Sequence, residues 1–191
     1  MNKKVMKTAA FVLTVSVAVF FVTGCSGVPK SGEKIMLNGM IYDTQNRPVV
    51  NYMILIDGKY AASSDIGGRF VIKSISKGEH VFCGSGSGYL SIEEKVTVYD
   101  KSQILYIRVP SVEARLREAY SLLEEKRYEK AEAVIEDVLE SGGENEDSLF
   151  FMCVIKHLRG MDSQALIYLE KLKKTGGGRY VEELEKILCE K

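Results

Sequence analysis

Histidine is nearly missing from this 191-residue chain, which has only His80 and His157. Neither belongs to a Ser/His/Asp or Cys/His/Asn grouping, so no hydrolase is expected. Cysteine is also sparse. Cys25 stands at the end of an N-terminal leader, and the remaining Cys83, Cys153 and Cys189 allow at most one internal disulfide, so a disulfide scaffold is not expected. Their redox state stays open. The leader's apolar run, residues 9–22, is 14 residues long, whereas a bilayer-spanning helix needs about 20. Basic stripes are lacking too. The 26 basic and 26 acidic residues balance, but with Lys3, Lys4 and Lys7 in the leader the remainder holds 23 basic and 26 acidic residues. Neither nucleic-acid binding nor electrostatic attraction to anionic lipid is therefore expected.

What the leader does contain is ordered. Three lysines precede the apolar run, and Val22-Thr23-Gly24-Cys25 follows it. Charge first and then a short apolar stretch is the arrangement of a secretory signal. The last four residues resemble the lipobox of bacterial lipoproteins, with Val22 where leucine is usual. The resemblance implies cleavage between Gly24 and Cys25 and a diacylglyceryl group on the Cys25 sulfur. The chain would then be held to a membrane in the cell envelope, on the extracytoplasmic side. Two or three acyl chains anchor stably where one does not. An ordinary signal peptide with a chance cysteine is the alternative, and inner against outer membrane stays open. The expected organisation is a signal peptide (1–24), a lipidated polar tether (25–34), a β-domain (35–110) and a helical domain (111–191).

From residue 35 short β-rich runs alternate with turn residues. Residues 36–42, 52–56, 69–72, 80–83, 92–98 and 104–109 read as strands, six or seven in all, with no helix among them. Asp57-Gly58 signals a hairpin, because a type I′ turn needs positive φ at both central positions. Such a series argues for an antiparallel sandwich. Gly39, Asp43, Pro48-Val49, Ser64-Asp65-Ile66-Gly67-Gly68-Arg69-Phe70, Gly78-Glu79-His80 and Gly88-Tyr89 occur in one order. Together they resemble the carboxypeptidase regulatory-like domain, a transthyretin-like sandwich, over residues 37–108. Ser64 replaces the usual threonine, and His80 the usual aromatic. The resemblance implies a module without catalytic residues of its own.

After Pro110 the apolar period becomes helical. Ser111 is a candidate N-cap. Leu116, Ala119, Tyr120 and Leu123 line one face of a first helix, and Ala131, Val134, Ile135, Val138 and Leu139 that of a second ending at Ser141-Gly142-Gly143. A third helix, residues 147–158, is apolar nearly all round and should be central. Ala165, Tyr168, Leu169 and Leu172 mark a fourth; Val181, Leu184, Ile187 and Leu188 a fifth after Gly176-Gly177-Gly178. Ala119, Leu122, Tyr128, Ala131 and Ile135 resemble the tetratricopeptide skeleton, and Gly160, Ala165, Leu169 and Leu172 echo it 34 residues on. An unrelated helical bundle is the alternative.

Other constellations carry less. Gly84-Ser85-Gly86-Ser87-Gly88 fits neither a phosphate loop nor a nucleophile elbow and reads as a flexible loop. Cys153 and His157 have zinc-ligand spacing, but no second pair completes the set and Cys189 is remote. Asp43, Asp57 and Asp65 could hold calcium, yet turn formation accounts for each. No metal site and no cofactor is expected. The expected function is a non-enzymatic envelope lipoprotein acting as a protein–protein interaction scaffold, attached to the membrane through its lipid and engaging an envelope protein, with self-association left open. A glycan- or small-ligand-binding module, with a site around Tyr60, Gly84–Gly88 and Tyr89, is one alternative. An accessory subunit of an envelope enzyme is another. No partner-binding residue is assigned.

Overall fold

The structure is a computed structural model that describes residues 34–176 and 178–189. Gly24, Cys25, the leader and the tether up to residue 33 lie outside the described residues.

Among the described residues, seven strands form two sheets: β1 (Ile35–Asp43), β2 (Met53–Ile56), β3 (Lys59–Ser63), β4 (Arg69–Ile75), β5 (Gly78–Gly86), β6 (Tyr89–Val98) and β7 (Ile104–Val109). One sheet has the order β4-β1-β7, the other β3-β2-β5-β6. Leu37, Ile41, Ile54, Phe70, Phe82, Val98, Ile107 and Val109, drawn from both sheets, share one buried core. The result is a β-sandwich.

The sandwich is not wholly antiparallel. β7 runs parallel to β1, with Asn38 opposite Ile104 and Asp43 opposite Val109. Hydrophobic alternation says which face of a strand is buried but nothing about its direction relative to a neighbour. β3 is the strand that the sequence reading passed over. The turn before it behaves as read: Asp57 and Gly58 have φ of 50° and 74°, and β2 pairs antiparallel with β3 across them.

Several of the turn and glycine residues singled out in the sequence have local physical work. Gly39 lies opposite Phe70 in the β1–β4 ladder, and a Cβ at Gly39 would come within 2.0 Å of the Phe70 ring. Only glycine leaves room for that ring. The Asp65 carboxylate accepts the N–H groups of Gly67 and Arg69, each at 2.8 Å, closing the turn into β4. The buried Ser64 hydroxyl donates to the Val49 carbonyl at 2.6 Å and accepts the Tyr52 N–H at 2.9 Å.

Among the described residues five helices follow: α1 (Val112–Glu124), α2 (Tyr128–Asp137), α3 (Glu146–Leu158), α4 (Asp162–Thr175) and α5 (Gly178–Cys189). A π turn, Val138–Gly142, continues α2. α1 and α3 begin 34 residues apart, as do α2 and α4. Ser111 caps α1 by accepting the Ala114 N–H at 3.2 Å, and Asn145 caps α3 by accepting the Ser148 N–H at 2.9 Å. α3 is central as expected, packing against α1, α2, α4 and α5. Two expected inward residues point out instead: Tyr120 is 55% exposed and Ile187 48%.

The first helix is joined to the sandwich by strand-like pairing. The Leu90 N–H donates to the Pro110 carbonyl and the Val112 N–H to the Gly88 carbonyl, both at 3.0 Å. The π turn lies against the start of β6, and a Cβ on Gly142 would sit 3.0 Å from Val112 and 3.6 Å from Leu90. None of the described helices is long and apolar enough to cross a membrane.

Candidate interaction surfaces

Successive residues of a strand face opposite sides of its sheet. With Leu37, Ile41, Phe70, Ile72, Ile107 and Val109 buried, the alternate positions of β1, β4 and β7 make the outer face of the three-stranded sheet. Those positions are Met36, Asn38, Met40 and Tyr42; Arg69, Val71 and Lys73; and Ile104, Tyr106 and Arg108. Met36 is 55%, Ile104 47% and Tyr106 64% exposed, so a largely apolar surface stands open. A cleft of about 590 Å³ runs across it, lined by Asn38, Met40, Val71 and Ile104, with Arg69 and Asp65 at its end. No contiguous sequence run shows this face, because its members are alternate residues of three separate strands.

The outer face of the other sheet differs. Cys83 lies opposite Glu93 and Val81 opposite Lys95, and Ser85 opposite Met53, giving a mixed polar surface. The Cys83 thiol donates to Glu93 at 3.7 Å; burial, aided by Glu93, raises its pKa, which leaves little reactive thiolate.

A second cleft, of about 450 Å³, opens between the edge strands β3 and β4. Lys34, Lys59 and Lys73 surround it, with Tyr60, Asp57 and His80. His80 Nδ1 lies 2.7 Å from the Asp57 carboxylate and Nε2 2.9 Å from the Ser76 carbonyl. The His80 hydrogen bond, with the Val81 N–H beside it, holds the Asp57 carboxyl below its ordinary value. His80 thus straps the β2–β3 hairpin to β5 through hydrogen bonds, rather than packing as the aromatic it replaces would.

The glycine-rich segment is not a flexible loop. Gly84 and Gly86 lie within β5, and a Cβ on either would come within 2.2 Å and 2.6 Å of the Tyr52 ring. The glycines make space for Tyr52, which is fully buried and donates its hydroxyl to the Leu90 carbonyl at 2.8 Å. Tyr89 meets Tyr52 edge-on, with ring centroids 6.4 Å apart, while Tyr60 lines the lysine cleft. Gly84, Gly86 and Tyr89 thus serve the packing around Tyr52, whereas Tyr60 is 67% exposed and stands apart from them at the lysine cleft. The missed signal was a tyrosine just before β2 whose buried ring fills the space left by two glycines of β5.

Cys153 and His157 do not converge on a metal. The Cys153 thiol is buried and donates to the Ala165 carbonyl at 3.3 Å, and burial pushes its pKa up to about 11. His157 Nδ1 instead lies 2.8 Å from Asp162. Of the three turn aspartates, Asp43 accepts the Gln45 and Arg47 N–H groups and the Arg47 guanidinium. Burial alone would raise its pKa, but these donors hold it below its ordinary value. Among the described residues, no three His, Cys, Asp or Glu side chains gather to hold a metal.

Between the hairpins, Glu132 of α2 is buried and faces two cations of α3. Lys156 Nζ donates to one oxygen at 2.5 Å and Arg159 to the other. Burial would raise the Glu132 pKa, but the two cations outweigh it and lower it.

No protein family matches the chain, and no curated protein does. Solved structures similar to part of it include a chain of a cohesin–X-dockerin complex from Acetivibrio cellulolyticus, 21% identical over 39% of this chain and 56% of that one, with a TM-score of 0.34. A streptococcal ancillary pilin is 14% identical over 41% of this chain and 29% of that one, with a TM-score of 0.34. The 3-chlorocatechol 1,2-dioxygenase of Rhodococcus opacus 1CP is 11% identical over 44% of this chain and 62% of that one, with a TM-score of 0.35. The chain spans less than two thirds of each of these neighbours.

Proposed function

We propose that the chain is a membrane-anchored envelope lipoprotein and a non-enzymatic scaffold, in which a transthyretin-like sandwich carries a pair of tetratricopeptide-like hairpins that engage a protein partner. The observation that carries the scaffold reading is the 34-residue repetition of the helix starts, together with side-chain caps at Ser111 and Asn145. Helical hairpins repeated at that period commonly present a face to a peptide or helix. Tyr120 on α1 and Leu158 on α3, 55% and 46% exposed, put apolar side chains on the first helix of each hairpin. Anchoring rests on Val22-Thr23-Gly24-Cys25 after a short apolar run.

Photocrosslinking residues placed at 120 and 158 of the lipidated protein test this in its native host. The expected result is a discrete adduct with one envelope protein, absent when the crosslinker is moved to Tyr99, 68% exposed beside the sandwich. Recovery of an unadducted monomer from all positions would sink the scaffold reading. Cys25→Ser tests the anchor separately: the variant should leave the detergent phase that the parent enters.

A further inference from the structure

We propose that the outer face of the three-stranded sheet lies flat against the bilayer to which the chain is anchored, with its apolar side chains entering the headgroup region and its basic side chains meeting lipid phosphates. The proposal rests on the lipoprotein reading above and adds to it which surface touches the membrane.

Contiguity comes first. Asn38 stands opposite both Val71 and Ile104, and Met40 opposite both Arg69 and Tyr106. Met40 therefore has Tyr106 directly beside it and Val71 and Ile104 on the diagonals, so apolar side chains from all three strands adjoin, with Asn38 and Arg69 among them. Apolar faces left open on a soluble domain mark interaction surfaces, and a surface of methionine, isoleucine, valine and tyrosine suits the boundary between headgroups and acyl chains.

Charge decides between occupants. The outward strand positions carry Arg69, Lys73 and Arg108 and no carboxylate, although the chain beyond the leader has more acidic residues than basic ones, 26 against 23. Asp65, at the end of the cleft, already accepts two backbone N–H groups. A second copy packed face to face would bring three cations against three, with only Asp65 of each copy to receive them. Net charge beyond the leader gives no ground to expect attraction to anionic lipid, but this face collects cations locally, and a layer of anionic headgroups supplies the counter-charge.

Reach agrees with charge. The tether, residues 26–34, leads directly into β1, and nine residues extend at most about 30 Å. Met36, the second residue of β1, already belongs to the face. Confinement of that kind turns a weak surface contact into an intramolecular event at high effective concentration.

The chain contains no tryptophan, which makes the test direct. Tyr106→Trp places a single indole on the proposed face, and Met53→Trp, 42% exposed on the other sheet, serves as its control. The lipidated full-length protein is reconstituted in phosphatidylethanolamine–phosphatidylglycerol vesicles with and without brominated acyl chains. The Tyr106→Trp emission should shift to the blue and be quenched by the brominated lipid, while that of Met53→Trp should do neither. Adding Arg69→Glu and Arg108→Glu to Tyr106→Trp should remove the quenching while the protein still floats with the vesicles and keeps its melting profile. Flotation without quenching of Tyr106→Trp would overturn the proposal and leave the anchor standing. Loss of flotation by the lipidated parent would overturn both. A blue shift without quenching, accompanied by a crosslinked dimer, would assign the face to a second copy and overturn the bilayer docking.

Discussion

Hairpins α1–α2 and α3–α4 follow one backbone plan with different side chains. Their N-caps, Ser111 and Asn145, are 34 residues apart; so are their turn residues Lys126 and Gly160, which share a left-handed conformation with φ of 57° and 74°. So are Ala131 and Ala165, both fully buried. Around these fixed points the chemistry diverges. The first hairpin packs Ala119 and Ile135 with Met152 and Ile155. The second packs Cys153, Leu169 and Leu172 with Leu184, and Phe150 stacks on Tyr180 with ring centroids 4.4 Å apart. Glu132, which joins the two hairpins through Lys156 and Arg159, has the half-exposed Leu166 as its counterpart 34 positions on. Caps, turns and a small residue at the helix crossing set the geometry, and the larger core residues fill whatever space that geometry leaves.

The largest test asks whether the hairpins stand or fall together. Ile135 and Leu169 occupy equivalent buried positions, at 0% and 1% exposure. Ile135→Ala and Leu169→Ala should each cost about 3 kcal/mol, and each should melt in a single transition by calorimetry. Two transitions in either variant would break the picture of one helical unit.

Glu132 sharpens the contrast at the seam. Glu132→Ala leaves Lys156 buried without its partner, so a cost of about 3 kcal/mol is expected in urea melts. Leu166→Ala, at the matching position, should be close to neutral. The acid limb gives an independent reading. Because the Glu132 carboxyl is held below its ordinary value when folded, its contribution is present above the unfolded carboxylate pKa of about 4.3 and is lost as pH falls below it. Between about pH 5 and pH 3 the parent should therefore lose more stability than Glu132→Gln. Parallel pH profiles would show that the pair contributes nothing to folding.

Legibility in the sequence followed the range of the interaction concerned. The Asp57-Gly58 turn, the Ser111 cap and the central place of α3 depend on neighbours in sequence or on one clear period, and all three were readable. The parallel pairing of β1 with β7 depends on how the chain closes the sheet, which alternation does not encode. Glycine misled in β5, where its lack of a side chain admits Tyr52 rather than freeing the backbone. The exposed apolar face was hidden for a similar reason: Met40, Val71 and Tyr106 are unremarkable singly and become a surface only once the strands are placed side by side.

The caps should behave alike, since each accepts one N–H that would otherwise lack a partner. Ser111→Ala and Asn145→Ala are expected to cost about 1 kcal/mol apiece in thermal melts. A much larger loss at Ser111 would locate a second role in the junction with β6, where Ser111 also bridges to Tyr89.

The turns supply the finest comparison, because here the two hairpins differ by one residue in the same backbone. At the end of α1 the Lys126 N–H donates to the Leu123 carbonyl and the Arg127 N–H to that of Leu122; at the end of α3 the Gly160 N–H donates to His157 and the Met161 N–H to Lys156. Both are the paired 6→1 and 5→2 bonds of a Schellman ending. Only the second has glycine where φ is positive. A β-carbon in the left-handed region costs about 1–2 kcal/mol, offset in part by the greater unfolded-state freedom that glycine brings, about 0.5–1 kcal/mol. Lys126→Gly should therefore stabilise the protein by about 0.5–1 kcal/mol, and Gly160→Lys should destabilise it by about the same amount. If Lys126→Gly destabilises instead, the lysine side chain holds that turn by a contact of its own, and the two hairpins differ in how they turn as well as in how they pack.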